Sequence, residues 1–175
     1  MPNAVQLIKQ DHKKVASLFQ KYQKAKGQEA KRRIADQAME QLEIHTKLEE
    51  EIFYPAAKPE IEDSELISEA LSEHTTVKGL IEELRSMESE DENFDEKWNE
   101  LVENVQHHVQ EEESELLPEV EDSNLDLAEC GEEMAERKEE LMEESGSGAH
   151  AARTSRSRGS GSRSKKSGGT GARAH

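Results

Sequence analysis

An all-α architecture, an up-down-up-down antiparallel four-helix bundle with a short accessory C-terminal helix and a disordered tail, follows from three features of this 175-residue chain. Aromatic side chains make up 3% of it and charged ones 36%, so a core has to come from Leu, Ile, Val, Ala and Met, which favours helices over sheets. Apolar residues recur at alternating steps of three and four over four long segments, the period of a helix with one buried face. Gly27, Pro55, Pro59 and Pro118 punctuate those segments, and the short connections force neighbours to run antiparallel.

The first helix runs from about Asn3, a candidate N-cap, to Lys26 and stops at Gly27. The second runs from about Gln28 to Tyr54. Pro55 forbids its continuation, because proline lacks an N–H and its ring collides with the preceding turn. The third starts near Asp63 or Ser64, with Ser64 as its cap, and fades in SMESEDEN; the fourth starts after Asn93 and ends at Pro118. A fifth, shorter helix spans about Asn124 to Glu144, packed by Leu127, Met134 and Leu141 at seven-residue spacing. Gly131 weakens its middle by about 1 kcal/mol. Residues 1–144 thus read as one domain. Residues 145–175 are Gly, Ser, Arg, Lys and Ala with two Thr and two His and no large apolar side chain, and a segment that buries nothing cannot offset the entropy of ordering.

The net charge of −17 is unevenly spread: residues 145–175 hold seven Lys or Arg and no acid, which leaves the body near −24. Such a body repels nucleic acid and anionic lipid, and the basic tail offers only a weak, salt-sensitive contact to nucleic acid. The single Cys130 cannot form an internal disulfide, and MPNAVQLIKQDH lacks the apolar run of a secretory signal, so a reducing cytoplasm is the expected compartment. No stretch approaches the roughly 18 apolar residues of a membrane span. The oligomeric state stays open.

The inward stripes carry the chemistry. They are Val5, Ile8, His12, Val15, Phe19 and Tyr22 in the first helix, and Ile34, Ala38, Leu42, His45, Glu49 and Ile52 in the second. The third has Ile67, Ala70, His74, Val77, Ile81 and Leu84; the fourth has Phe94, Trp98, Leu101, Val105, His108 and Glu112. Each otherwise apolar stripe holds a histidine near its middle, and the two that end in proline add a glutamate one turn later. One buried histidine is ordinary, but an unpaired buried carboxylate costs several kcal/mol or must hold its proton.

The same residues repeat along the chain. His12, His45, Glu49 and Pro55 are matched by His74, His108, Glu112 and Pro118, with Glu and Pro four and ten residues past the second histidine in both halves. Two copies of a helical hairpin would pack about a pseudo-twofold axis through the bundle centre. Residues four apart share a helix face, so His45 with Glu49, and His108 with Glu112, can grip one ion each while the carboxylates reach across. His12 and His74 then add one imidazole each, and a symmetric two-metal site results. Imidazole and carboxylate donors suit iron, manganese or zinc, and the lack of cysteine among them removes thiolate zinc sites and iron–sulfur clusters.

QDHKKV, HTKLEEEIFYP, SEHTTVK and HHVQEEESELLP resemble the four helix motifs of the hemerythrin-like, or HHE cation-binding, family, over about residues 3–144. The resemblance implies a non-heme di-iron centre with an oxo or hydroxo bridge, with His12, His45, His74 and His108 as terminal ligands and Glu49 and Glu112 bridging two iron ions. Oxygen-carrying members have a fifth histidine where this chain has Lys78. That departure implies about one open position on each metal, which argues for reactive chemistry or sensing over simple oxygen carriage; Lys78 is read as pointing outward.

The leading expectation is therefore a metal-binding protein that takes a small diatomic or peroxide ligand, O2, NO or hydrogen peroxide, for sensing, storage or detoxification. The alternatives are a peroxide-consuming di-iron enzyme and a metal-free helical interaction module. His107, off the seam, and Glu50, Glu51, Glu111 and Glu113 read as helix surface. Asp11 and Glu73 read as solvated acids, with support of the neighbouring histidines as the alternative. His150 and His175 fall in the tail, and Cys130 reads as an inert thiol.

Overall fold

The computed structural model describes residues 1–146, so the reading of the tail lies outside the described residues. Helix α1 spans Ala4–Lys24, and Asn3 caps it in a reciprocal pair with Gln6, each side chain accepting from the other's backbone N–H at 2.9–3.0 Å. Gly27, at φ +90°, turns the chain into α2, Gln28–Leu48. Helix α4 spans Glu65–Ser86, α5 Phe94–Glu111 and α7 Leu127–Ser145. No helix of the described residues is long and apolar enough to cross a membrane.

The expected stops at Pro55 and Pro118 are corrected by the structure. Helix α2 runs on through a π-helical turn, Glu49–Phe53, into α3, Tyr54–Ala57, and α5 runs on through a second, Glu112–Leu116, into α6, Leu117–Glu121. The Tyr54 N–H reaches the Glu49 carbonyl and the Leu117 N–H reaches that of Glu112, five residues back. The widened turn moves the preceding carbonyls off the proline ring, and proline's missing donor falls where the regular ladder is already interrupted. Five rods result, two of them long and internally bulged.

Two smaller expectations also change. Ser64 makes no capping hydrogen bond; the Asp63 carboxylate accepts from the Glu65 N–H at 3.1 Å instead. The last helix begins at Leu127, capped by Asp126, and not at Asn124. Gly131 sits where α7 crosses the start of α1: a Cβ there would lie 2.8–2.9 Å from backbone atoms of Pro2, Asn3 and Ala4. Close approach, more than helix weakening, explains this glycine.

Every stripe residue is buried except Ile34 and Ile52, which are half-buried. The apolar interior forms two layers. One contains Ile8, Phe53, Tyr54, Ile67 and Leu117, with Cys130, Met134 and Leu141 from α7. The other contains Phe19, Leu42, Val77, Trp98 and Val105. The buried histidines and glutamates lie between them.

Candidate metal centre

His12, His45, His74 and His108 are each 1–7% exposed, Glu49 is fully buried and Glu112 is 3% exposed. α1, α2, α4 and α5 each contribute one histidine, and the two glutamates are the first residues of the two π-helical turns. Each carboxylate divides its oxygens. Glu49 Oε1 lies 2.8 Å from His45 Nε2 and its Oε2 lies 3.0 Å from His74 Nε2. Glu112 Oε1 lies 3.3 Å from His12 Nε2 and its Oε2 lies 3.5 Å from His108 Nε2. Two groups follow, His12 with His45 and His74 with His108; Glu49 belongs to both, and Glu112 belongs to the first and reaches His108 of the second.

These separations match ligands on a common ion. Two donors at right angles on bonds of about 2.1 Å stand about 3.0 Å apart. His12 Nε2, His45 Nε2, Glu49 Oε1 and Glu112 Oε1 are buried without a hydrogen-bond partner although they crowd one another. Orphaned polar atoms at this density are rare in a folded core, and atoms that converge without pairing are arranged for something between them. The buried cluster is compatible with metal binding.

Electrostatics agree. Burial depresses His45, but the Glu49 charge, with the Asp11 carboxylate accepting from Nδ1 and Glu49 beside Nε2, outweighs it and pushes the imidazole up to about 10. Burial raises Glu49, and the charges and hydrogen bonds of His45 and His74 overcome it, holding it well below the carboxylate range. Its pseudo-symmetric mate Glu112 moves the other way, raised by burial and by the Glu49 charge against the His12 imidazole beside it. Two equivalent carboxyls pushed in opposite directions are a pair that cannot ionise freely together without added positive charge.

Tyr54, which the sequence reading left at a helix end, belongs to the cluster. Its hydroxyl lies 2.6 Å from Glu112 Oε2, 3.0 Å from Glu49 Oε2 and 3.3 Å from His74 Nε2. Burial and both carboxylates hold its proton on far above the usual phenol range. In a regular α-helix a residue five positions past Glu49 lies about 140° around the axis; the π-helical turn stacks the two on one face.

The outer shell corrects the sequence reading further. Asp11 accepts from His45 Nδ1 at 3.3 Å, Glu73 faces His108 Nδ1 at 3.1 Å, and Glu113 faces His12 Nδ1 at 3.1 Å. Glu50 stands 3.9 Å from His74 Nδ1. Asp11 and Glu73 are therefore not ordinary solvated acids, Glu113 reaches His12 from an exposed position, and Glu50 stays a surface acid beyond hydrogen-bond distance of His74. They were findable: Asp11 and Glu73 precede the first histidine of each half, and Glu50 and Glu113 follow each central glutamate. Lys78 points outward as expected and holds Glu50 at 2.6–2.8 Å. Its counterpart in the first half is Ala16, which has no charge to draw Glu113 from His12. His107 is 65% exposed at its side chain, as its position off the seam predicts. Cys130 is buried, and burial together with Glu133 pushes its thiol up to about 11.

Three relatives frame this geometry. An uncharacterized hemerythrin-like protein of Schizosaccharomyces pombe is 30% identical over 113 residues, covering 63% of this chain and 56% of that protein, so the match spans little more than half of the relative's length. An uncharacterized protein of Mycobacterium tuberculosis is 26% identical over 147 residues, 79% of this chain and 87% of that one. The crystal structure of a hemerythrin HHE cation binding domain-containing protein from Mycobacterium kansasii superimposes with a TM-score of 0.71 at 27% identity, covering 91% of this chain and 96% of that one. The family model for the hemerythrin HHE cation binding domain matches residues 3–120, which takes in both hairpins and all six central side chains and stops short of α7. The chain belongs to the hemerythrin HHE cation-binding domain family.

Proposed function

We propose that this chain is a non-heme di-iron protein, working in the cytoplasm, that binds a small ligand such as O2, NO or peroxide for sensing, storage or detoxification. One observation carries the reading: Glu49 and Glu112 each offer one oxygen to one histidine pair and the other oxygen to the other pair. Bridging carboxylates do this, and a hydrogen-bond network has no need of four unpartnered donor atoms. Imidazole and carboxylate donors favour iron, with manganese and zinc behind it.

Bound iron would supply Lewis-acidic, redox-active centres; the protein's part is to hold, orient and shield them. His12, His45, His74, His108, Glu49 and Glu112 are the ligands in this reading. Asp11, Glu73 and Glu113 hold the Nδ1 side of three rings, which leaves each Nε2 lone pair facing the centre. Tyr54 keeps a proton at Glu112 Oε2. A cavity of about 20 Å³ touches all four histidines but neither glutamate, and Val15, Leu42, Val77, Val105 and Val109, with Thr46, line its remainder. That is room for a molecule the size of a water or a diatomic, in apolar surroundings that favour an uncharged guest. A groove of about 270 Å³ between α1 and α5 shares His12, Val15, Val105 and Val109 with it and leads outward.

The test is metal content and the visible absorption spectrum of protein made in iron-rich medium. Two irons per chain are expected, with absorption abolished in Glu49→Ala and Glu112→Ala. Trace metal alone, after aerobic and anaerobic purification, would leave the metal-free interaction module standing. Peroxide turnover by the loaded protein, compared with His74→Ala, decides between ligand binding and an enzyme.

A further inference from the structure

The pseudo-twofold repeat is broken on one flank of the centre. A narrow cleft of about 10 Å³ between α4 and the α5–α6 rod is lined by Glu69, Glu73, Glu111 and Glu115 over an apolar wall of Leu66, Ala70 and Leu116, and His108 and Glu112 form its floor. No lysine or arginine lines it. The equivalent positions in the other half are Leu7 for Glu69, Asp11 for Glu73, Leu48 for Glu111 and Ile52 for Glu115. There the flank is apolar and closed: Leu48 is 2% exposed, Leu7 and Ile52 pack on the same core, and Lys138 of α7 is paired to Asp11. One side of the bundle is thus sealed by a helix and a cation, and the other keeps a narrow cleft, the size of about one water molecule, rimmed by glutamates.

At its mouth stand three metal-ligating side chains that the centre does not use in full. His107 Nε2 lies 3.1 Å from Glu111 Oε1 and 3.6 Å from Glu73 Oε2, and the three offer donor atoms within 4.8 Å of one another. The equivalent of His107 in the first half is Ile44, 4% exposed. Glu73 belongs to both layers, since its Oε1 faces His108 Nδ1 at 3.1 Å. At the cleft floor the buried His108 and Glu112 meet, Glu112 Oε2 standing 3.5 Å from His108 Nε2, so two side chains of the buried centre end the path that the partly exposed trio begins.

We propose that Glu73, His107 and Glu111 form a surface site for a divalent cation and that it loads the buried centre through the glutamate-lined cleft. The inference rests on the metal-binding reading above and adds the route and the first point of capture. Carboxylates focused in a cleft raise the local cation concentration and the rate of entry. A histidine with two carboxylates binds a hydrated divalent ion without stripping it fully, which suits transfer more than storage. Two separate approaches then serve the centre: the acidic cleft admits cations, and the α1–α5 groove admits the uncharged ligand.

The experiment uses the full chain stripped of metal and reloaded with ferrous iron under argon, with cobalt(II) as a redox-silent probe. Uptake is followed by stopped-flow absorbance, and manganese(II) broadening of NMR signals reports the surface site. In His107→Ala/Glu111→Gln, uptake is expected to slow about tenfold, broadening at residues around Glu73 to vanish, and the final stoichiometry to stay at the wild-type value. Glu103→Gln removes one charge from an exposed position of α5 outside the cleft and should load at the wild-type rate. Equal rates in the double variant and wild type would overturn the port while leaving the buried centre intact, as would equal slowing in Glu103→Gln. Wild-type protein that retains no cation at all would overturn the metal reading and the port together.

Discussion

Glu112→Gln separates what the centre requires from what the fold requires. Glu112 is buried against Glu49, and burial together with that charge holds its carboxyl above the ordinary range. Glutamine keeps the shape and the oxygen that Tyr54 reaches at 2.6 Å, and it sets an amide donor toward Glu49 in place of a second acid. Exchanging a buried charged group for a neutral one of similar volume is often stabilising, and here the expected gain for chelator-stripped protein at pH 7 is about 1–3 kcal/mol. For a domain of this size that is roughly 3–10 °C in melting temperature.

The pH dependence has a definite sign. A carboxyl held above its ordinary value withdraws stability as pH rises from that value to the folded one. The advantage of glutamine therefore vanishes below the ordinary value of 4.5 and grows by about 1.4 kcal/mol per pH unit above it until the folded value is passed. In the proposed di-iron reading the order reverses, because the variant would lack one of the oxygens that hold the metal: loading should raise the melting temperature of the wild type and leave that of the variant nearly unchanged. Scanning calorimetry of stripped and loaded forms at pH 5 and pH 7 makes the comparison. A stripped variant that melts below the stripped wild type would refute the reasoning, since Glu112 would then be fully compensated by the protein alone.

Further outcomes follow from the same geometry. Stripped protein should lose stability as pH rises from the ordinary histidine value of 6.5 to about 10, because His45 is raised to that level by Glu49 and Asp11 against burial and its contribution is complete only below 6.5; urea midpoints at pH 6, 8 and 10 measure this. Asp11→Asn and Glu73→Gln should weaken cation binding by about 10–100-fold through the histidines they orient, read by competition with a chromophoric chelator while far-ultraviolet circular dichroism stays at the wild-type level. Gly131→Ala should cost about 1–3 kcal/mol despite alanine's better helix propensity, because its Cβ meets backbone of α1's start at 2.8–2.9 Å. Faster reaction of Cys130 with a thiol reagent would report α7 lifting away.

Much of this was legible from residue order. The number and direction of the rods follow from apolar period and short connections, and the six central side chains follow from polar residues that interrupt an apolar stripe at matching places in both halves. Period identifies a face because helix geometry is local. What lay beyond local geometry was misread: proline was taken as a stop at Pro55 and Pro118, whereas the widened turns carry both rods onward and bring Tyr54 onto the inward face. A π-helical turn is decided by packing and by the demands of the site, and no simple residue pattern announces it.

By itself, then, the sequence determined an all-helical bundle and which side chains meet at its centre, since both are set by spacing along single helices. Chain position marked Asp11 and Glu73 as candidates beside those histidines, but only the tertiary structure decided that they and Glu113 reach an Nδ1 atom, and which flank of the centre α7 seals. Forty acidic residues look alike in a sequence; the partner across the interface tells Glu113, itself exposed, from the other surface acids by its contact with His12, because a carboxylate's role depends on what packs against it.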